Sequence, residues 1–211
     1  MSRAILGRLA NVAFEALYGP AVPLYDWVAR AGFAGEWARW QRTVLRFAQT
    51  GPTLELGPGT GDLLPILAEH GLAPCGLELS PRMIARARQK LDARSGRRLP
   101  LLRGRAEALP FAPDTFGTVV ATFPSGWVAR PATWAEIARV LRPGGVVAIV
   151  LGGELAPHGP GRRVRAAAYR LLYGRRTAPF PAPPASALAL RWETVPTEHG
   201  HAILLVGRKP A

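Results

Sequence analysis

Residues 54–64 read LELGPGTGDLL: a short apolar run gives way to glycines at alternate positions, and apolar periodicity then resumes. Such a segment joins a strand to a helix by a turn, and Gly57, Gly59 and Gly61 let the backbone approach a ligand closely. The G-x-G-x-G spacing is tighter than the G-x-G-x-x-G of dinucleotide sites. Glu55 stands two residues before the first glycine, on the strand itself. A carboxylate there repels a pyrophosphate and suits a cationic ligand. Glu78 ends the next predicted strand, where a carboxylate can accept hydrogen bonds from both hydroxyls of a ribose.

Around this turn the chain alternates short apolar runs with helical periods. Strands are predicted at 53–57, 73–79, 99–104, 116–123 and 145–151, and helices over 62–70, 81–93 and 132–141. Ser80 is the expected N-cap of the second helix, with Pro81 as its first residue. In RVLRPGG, Gly144 and Gly145 are read as the turn from helix to strand. Strict alternation predicts an α/β fold, a mostly parallel Rossmann-like sheet with helices on both faces. Two last strands, near 187–195 and 201–208, form an antiparallel C-terminal hairpin. At 211 residues the chain fits one domain. Within it we expect a helical lid (1–50), a ligand-binding core (51–152), a basic helix with a proline-rich insertion (153–186) and the C-terminal strands (187–211).

The formal charge of +13 invites a nucleic-acid reading. However, Lys90 and Lys209 are the only lysines among 27 basic residues. An arginine bias of that kind reflects genome composition as much as anionic partners. Nucleic acid is therefore disfavoured, and an anionic membrane surface accounts for the charge at least as well. Cys75 is the one cysteine, which excludes an intrachain disulfide and a cysteine-based zinc site; it reads as a small core residue. The N-terminal stretch is apolar but interrupted by Arg8, Asn11 and Glu15, unlike a signal peptide or membrane span. A cytoplasmic protein is expected, with peripheral attachment at the inner membrane face as a further possibility.

Four blocks follow one another in order: LELGPGTGDLL, GLELSPRMIARAR (76–88), GRAEALPFAPDTFGTVV (104–120) and EIARVLRPGG (136–145). Together they resemble the class I S-adenosylmethionine-dependent methyltransferases, in particular the type 11 group. That group includes ubiquinone- and menaquinone-biosynthesis enzymes and phospholipid N-methyltransferases. The resemblance implies S-adenosylmethionine as cofactor, S-adenosylhomocysteine as product and no metal. It further implies that Glu55, Gly57, Gly59 and Gly61 hold the methionine part and that Glu78 binds the ribose. Leu79 and Met83 would flank the adenine, Ala106 and Glu107 would line its edge, and Phe123 would lie near the transferred methyl group. Leu79 and Met83 are also explicable as core residues, and Glu107 as a solvated loop charge. Two departures matter. Arg105 stands where many relatives carry an aspartate, so the adenine amino group needs another acceptor. ATFPSGW (121–127) lacks the N/D-P-P-Y pattern, which argues against DNA adenine or glutamine side chains as substrates.

The acceptor is less sharply indicated. Residues 17–42 are rich in aromatics, and Tyr18 and Tyr25 are candidates for the active-site mouth. His158 is the histidine placed nearest the expected cleft. Residues 2–17 and 161–174 combine arginines with apolar and aromatic residues, as amphipathic helices on an anionic bilayer do; packing against the domain explains the same pattern. A small or lipophilic acceptor is favoured, either a phospholipid headgroup amine or a quinone precursor. RNA methylation and S-adenosylmethionine binding without catalysis are the alternatives. The sequence assigns no oligomeric state.

Overall fold

The computed structural model describes residues 35–95, 98–156 and 187–211. Tyr18, Tyr25, His158, residues 2–17 and residues 161–174 lie outside them. The described chain begins with α1 (Glu36–Arg42) and a 3-10 turn (Thr43–Arg46). It continues through β1 (Gly51–Leu56), α2 (Leu63–Glu69), β2 (Leu72–Glu78), α3 (Pro81–Ser95) and β3 (Leu101–Arg103). Next come β4 (Phe116–Thr122), a second 3-10 turn (Gly126–Ala129), α4 (Pro131–Val140), β5 (Leu141–Leu155), β6 (Ala189–Thr197) and β7 (Gly200–Arg208).

The seven strands form one sheet in the order β3-β2-β1-β4-β5-β7-β6. Strands β1 to β5 pair in parallel. β7 runs antiparallel between β5 and β6. The predicted alternation and hairpin are both present. The strand order reverses beside β1, which places the ends of β1 and β4 at the crevice where open α/β sheets bind ligands.

Side chains alternate between the faces of the sheet. Leu54, Leu56, Val119, Ala121, Val147 and Ile149 pack on one side with Trp134, Ile137 and Val140 of α4. Val120, Val146, Ala148 and Val150 pack on the other with Leu63 and Leu67 of α2 and Trp40 of α1. α3 covers the β3 edge through Ile84, Ala87 and Leu91. The result is three layers with β1 in the interior of the sheet.

Two boundaries differ from expectation. β5 was expected at 145–151, and the following insertion was expected to begin at 153. The strand instead runs from Leu141 to Leu155, because β7 pairs with it as far as Leu155↔Gly200 and so supplies its backbone partners. Its early start includes the Gly144 turn, at φ 73°, as an irregularity in the pairing with β4. β3 is shorter than predicted, with three residues.

Trp40 anchors α1. Its side chain is fully buried, and its indole lies against Gly153, where any Cβ would overlap the ring. Trp40→Ala should therefore destabilise the fold by about 3–5 kcal/mol, the scale of a large aromatic lost from a core. Denaturant unfolding measures this; a loss below about 1 kcal/mol, typical of surface positions, would show that α1 is not part of the core.

Candidate functional site

The turn after β1 is built from three left-handed residues. Gly57, Gly59 and Gly61 have φ of 67°, 57° and 78°, values that cost a side-chain-bearing residue on the order of 1–2 kcal/mol each. The amide of Gly57 donates to Leu77 O at 2.9 Å, which ties the turn to β2. Glu78, at the end of β2, closes the arrangement. Its Oε2 accepts from Gly59 N at 3.1 Å and its Oε1 from Ser80 N at 2.8 Å. Ser80 caps α3 as expected, its Oγ accepting from Met83 N at 3.3 Å. Burial raises the Glu78 pKa, while the backbone amides of Ser80, Gly59 and Leu79 pull it back down.

Glu55 is placed differently. It pairs in register with Val120 and so shares that residue's face of the sheet. Its side chain is buried and its Oε2 has no hydrogen-bond partner. Desolvation, then the charges of Asp62 and Glu78, raise its pKa from 4.5 to about 8. An unsatisfied carboxylate oxygen in such a position is costly unless a donor or cation comes to it.

A cleft of about 450 Å³ opens above the turn. One wall carries Gly57, Glu78, Leu79 and Ser80 and continues through Gly104 to Glu107 after β3; the other carries Phe123 to Trp127 and Arg130 after β4. Of the residues singled out in the sequence, Gly57, Glu78, Leu79, Ala106, Glu107 and Phe123 line this cleft. Glu55, Gly59, Gly61 and Met83 do not. Met83 is fully buried in the core under α3, whereas Leu79 is half exposed. Glu107 is engaged by Arg130 across the cleft and lies 3.9 Å from Arg105.

The walls contain features that the motif did not reveal. Phe123 adopts φ 52°, which is unusual for a bulky residue, and its amide donates to Val150 O at 2.7 Å. Its ring stacks on Trp37 of α1 with centroids 3.7 Å apart. A Cβ on Gly57 would meet the Trp127 indole at 3.8 Å, so this ring lies against the glycine turn. Trp37, Trp127 and Arg130 received no site role in the sequence reading, although the aromatic density of residues 17–42 and the GW pair of ATFPSGW were visible signals. Among the described residues, no group of three or more histidine, cysteine, aspartate or glutamate side chains could hold a metal ion.

Sheet order, glycine turn and paired carboxylates at the tips of β1 and β2 define a Rossmann-like class I methyltransferase fold. Comparison with known proteins agrees. The sequence profile described as "Methyltransferase domain" matches residues 54–149. A demethylmenaquinone methyltransferase of Thermus thermophilus is 32% identical over 170 residues, 78% of this chain and 74% of the relative. A phosphatidylethanolamine N-methyltransferase of Cereibacter sphaeroides is 42% identical over 105 residues, 49% of this chain. The chain spans about half the length of that relative, 51%. Among solved structures, the Haemonchus contortus phosphoethanolamine N-methyltransferase 2, in complex with phosphomonomethylethanolamine and S-adenosylhomocysteine, superposes with a TM-score of 0.58. It is 15% identical, and the match covers 82% of this chain and 53% of that one. The chain belongs to the S-adenosylmethionine-dependent methyltransferases of the type 11 group.

The buried carboxylate gives a stability signature. In the unfolded chain Glu55 ionises near 4.5, and in the folded chain only near 8. Between those values the unfolded state releases a proton that the folded state retains, so this residue makes the fold less stable as pH rises. Glu55→Gln removes that term. The unfolding free energy of the variant relative to the parent should grow from pH 5 to pH 8.5 by on the order of a few kcal/mol. Parallel pH profiles for the two proteins would show that Glu55 is not buried as an isolated acid.

Proposed function

We propose that the protein transfers a methyl group from S-adenosylmethionine to a small or lipophilic acceptor, a phospholipid headgroup amine or a quinone precursor. The observation that carries the reading is the pairing of Glu55 and Glu78 on either side of the left-handed glycine turn. The orphaned Oε2 of Glu55 suits the ammonium of an amino acid moiety. Glu78 uses two acceptor positions on backbone amides, and a carboxylate has about four. The Leu79 amide also acts on it, and the acceptor capacity left over would serve a ribose hydroxyl. Residues 104–107 would face the adenine. Glu107, though engaged by Arg130, is the carboxylate nearest the position where Arg105 replaces the aspartate of many relatives.

When bound, the sulfonium supplies an activated methyl group and its own leaving group. The chain's part is alignment and exclusion of water. Phe123 and Trp127 offer apolar walls at the β4 side of the cleft. Phe123 is braced from behind by Trp37, so the position it presents to a reacting methyl group is fixed. A proton acceptor is required only if the acceptor atom must lose a proton.

The lipophilic character of the acceptor rests on the relatives, whose names specify phosphatidylethanolamine and demethylmenaquinone. No described helix is long and apolar enough to cross a membrane. Surface attachment through residues 2–17 and 161–174 would bring such an acceptor within reach.

Two measurements test the reading. Glu78→Ala should weaken S-adenosylhomocysteine binding more than about tenfold in calorimetry, the scale of a lost pair of charge-assisted hydrogen bonds. Unchanged affinity would remove Glu78 from the site. Incubation with methyl-labelled S-adenosylmethionine and cell extract should place label in the organic phase on partition. Label confined to the aqueous phase would refute the lipophilic acceptor.

A further inference from the structure

Lys90 lies outside the cleft, yet it is bound to the glycine turn more firmly than any motif suggests. Its Nζ donates to Thr60 Oγ1 at 2.9 Å and contacts both oxygens of Asp62, Oδ1 and Oδ2, at 2.9 Å each. The lysine side chain is 12% exposed, and Thr60 is buried. A second contact joins the same two elements. A Cβ on Gly61 would come within 3.0 Å of Ala87 Cβ and 3.8 Å of Leu91. Ala87, Lys90 and Leu91 share one face of α3 at i, i+3 and i+4. One stripe of α3 therefore receives residues 60–62 by close packing and by a partly buried charge.

The charge matters because of what surrounds Glu55. Asp62 and Glu78 both act on it, and both are negative. β4 brings no titratable side chain to that face. On α1, Glu36 is occupied by Thr197 and Arg39, Arg39 also engages Glu198, and Arg42 closes the helix. On α2, Glu69 lies at the end remote from the turn. The ammonium of Lys90 supplies a counter-charge to Asp62.

We propose that Lys90 is a positioning residue for the cofactor, one that holds Thr60 and Asp62 so that the glycine turn keeps its ligand-ready shape while the charge of Asp62 beside Glu55 is offset. The inference rests on the reading of the cleft as an S-adenosylmethionine site. Without the lysine the turn loses its polar tie to α3, and the Asp62 carboxylate, with less positive charge beside it, makes Glu55 harder to ionise. Binding of a cationic amino acid moiety then requires a higher pH. Loss of Asp62 has the opposite electrostatic consequence. A purely structural role for the pair would make both substitutions act in the same direction.

The test is calorimetric titration of the full chain with S-adenosylhomocysteine across a range of pH, with thermal melts in parallel. Lys90→Met should weaken binding at neutral pH by about tenfold, as expected for a lost charge-assisted contact, and move the rising limb of affinity against pH upward. Asp62→Asn should move that limb downward. Lys90→Arg, which keeps the charge, should bind within about threefold of the parent, less than half a decade in affinity. Lys90→Met binding like the parent with an unmoved limb would overturn the proposal, as would shifts of the same sign in the Met and Asn variants. If Lys90→Met does not fold, the Asp62→Asn shift and the Lys90→Arg affinity decide: an unmoved limb in the first or a large loss in the second overturns it. A parent chain that fails to bind S-adenosylhomocysteine would overturn the cofactor reading itself, and this inference with it.

Discussion

A carboxylate in the middle of a buried sheet is the constraint on which the site depends. β1 is flanked by β2 and β4 and covered on both faces, so Glu55 cannot reach water by turning its side chain. Removal of a charge from water costs several kcal/mol unless a partner compensates. Here one oxygen lacks a hydrogen bond, and the two charges that act on it among the described residues are of its own sign. An apolar residue would serve the core better at this position. An acid retained there accords with the proposed cofactor, whose amino group would contribute positive charge beside the glycine turn.

The loops that carry both cleft walls are fastened to α4. α4 reaches the loop after β3 through Glu136 and Arg139. Glu136 accepts from Leu109 N at 2.6 Å, and Arg139 donates to Phe111 O at 2.7 Å and Leu109 O at 3.0 Å. The hydrogen bond from Arg139, more than any other influence, holds the Glu136 carboxyl below the usual carboxylate range. The same helix reaches the wall after β4. Thr133 Oγ1 donates to Trp127 O at 2.9 Å, and Trp134 Nε1 donates to Val128 O at 2.8 Å. Both loops are thus fastened to one rigid element, a favourable arrangement for a reaction that needs alignment more than chemistry from side chains. Phe123 is the strained point between them. Its left-handed backbone is held by the Val150 carbonyl and by the Trp37 stack, and such strain persists where the surroundings over-determine it.

What could be read from the sequence was local. The glycine turn, Glu55, Glu78 and the Ser80 cap lie within 26 consecutive residues, 55–80, and their placement follows from spacing along one βαβ unit. The strand alternation was equally legible, because buried parallel strands are short apolar runs. Interactions distant in sequence were not legible. Lys90 meets its partners across 28 and 30 residues, and a lysine on an exposed-looking helix carries no mark of that. Trp37 reaches Phe123 from a segment whose aromatic residues could equally have packed among themselves. The extent of β5 depends on β7, about fifty residues later, and no periodicity within GGVVAIVLGGEL predicts where that pairing ends. Met83, which the resemblance sets against the adenine and which also reads as a core residue, is fully buried.

The division of similarity bears on where specificity resides. The profile match ends at residue 149 and so contains the turn, both carboxylates and both cleft walls, but neither β6 nor β7. Two relatives that share this core carry names with different acceptors, an amine of a phospholipid and a demethylated menaquinone. A common core with different acceptors is what an in-line displacement permits, because the leaving group and the activated methyl belong to the cofactor end. The elements outside the profile-matched segment are then of interest for the acceptor end. In the described structure the nearest such element is α1, whose Trp37 stacks on Phe123 and whose Glu36 bonds Thr197 Oγ1 at 2.6 Å at the tip of the β6–β7 hairpin. α1 therefore links the Phe123 wall of the cleft to a part of the chain beyond the segment that the profile matches.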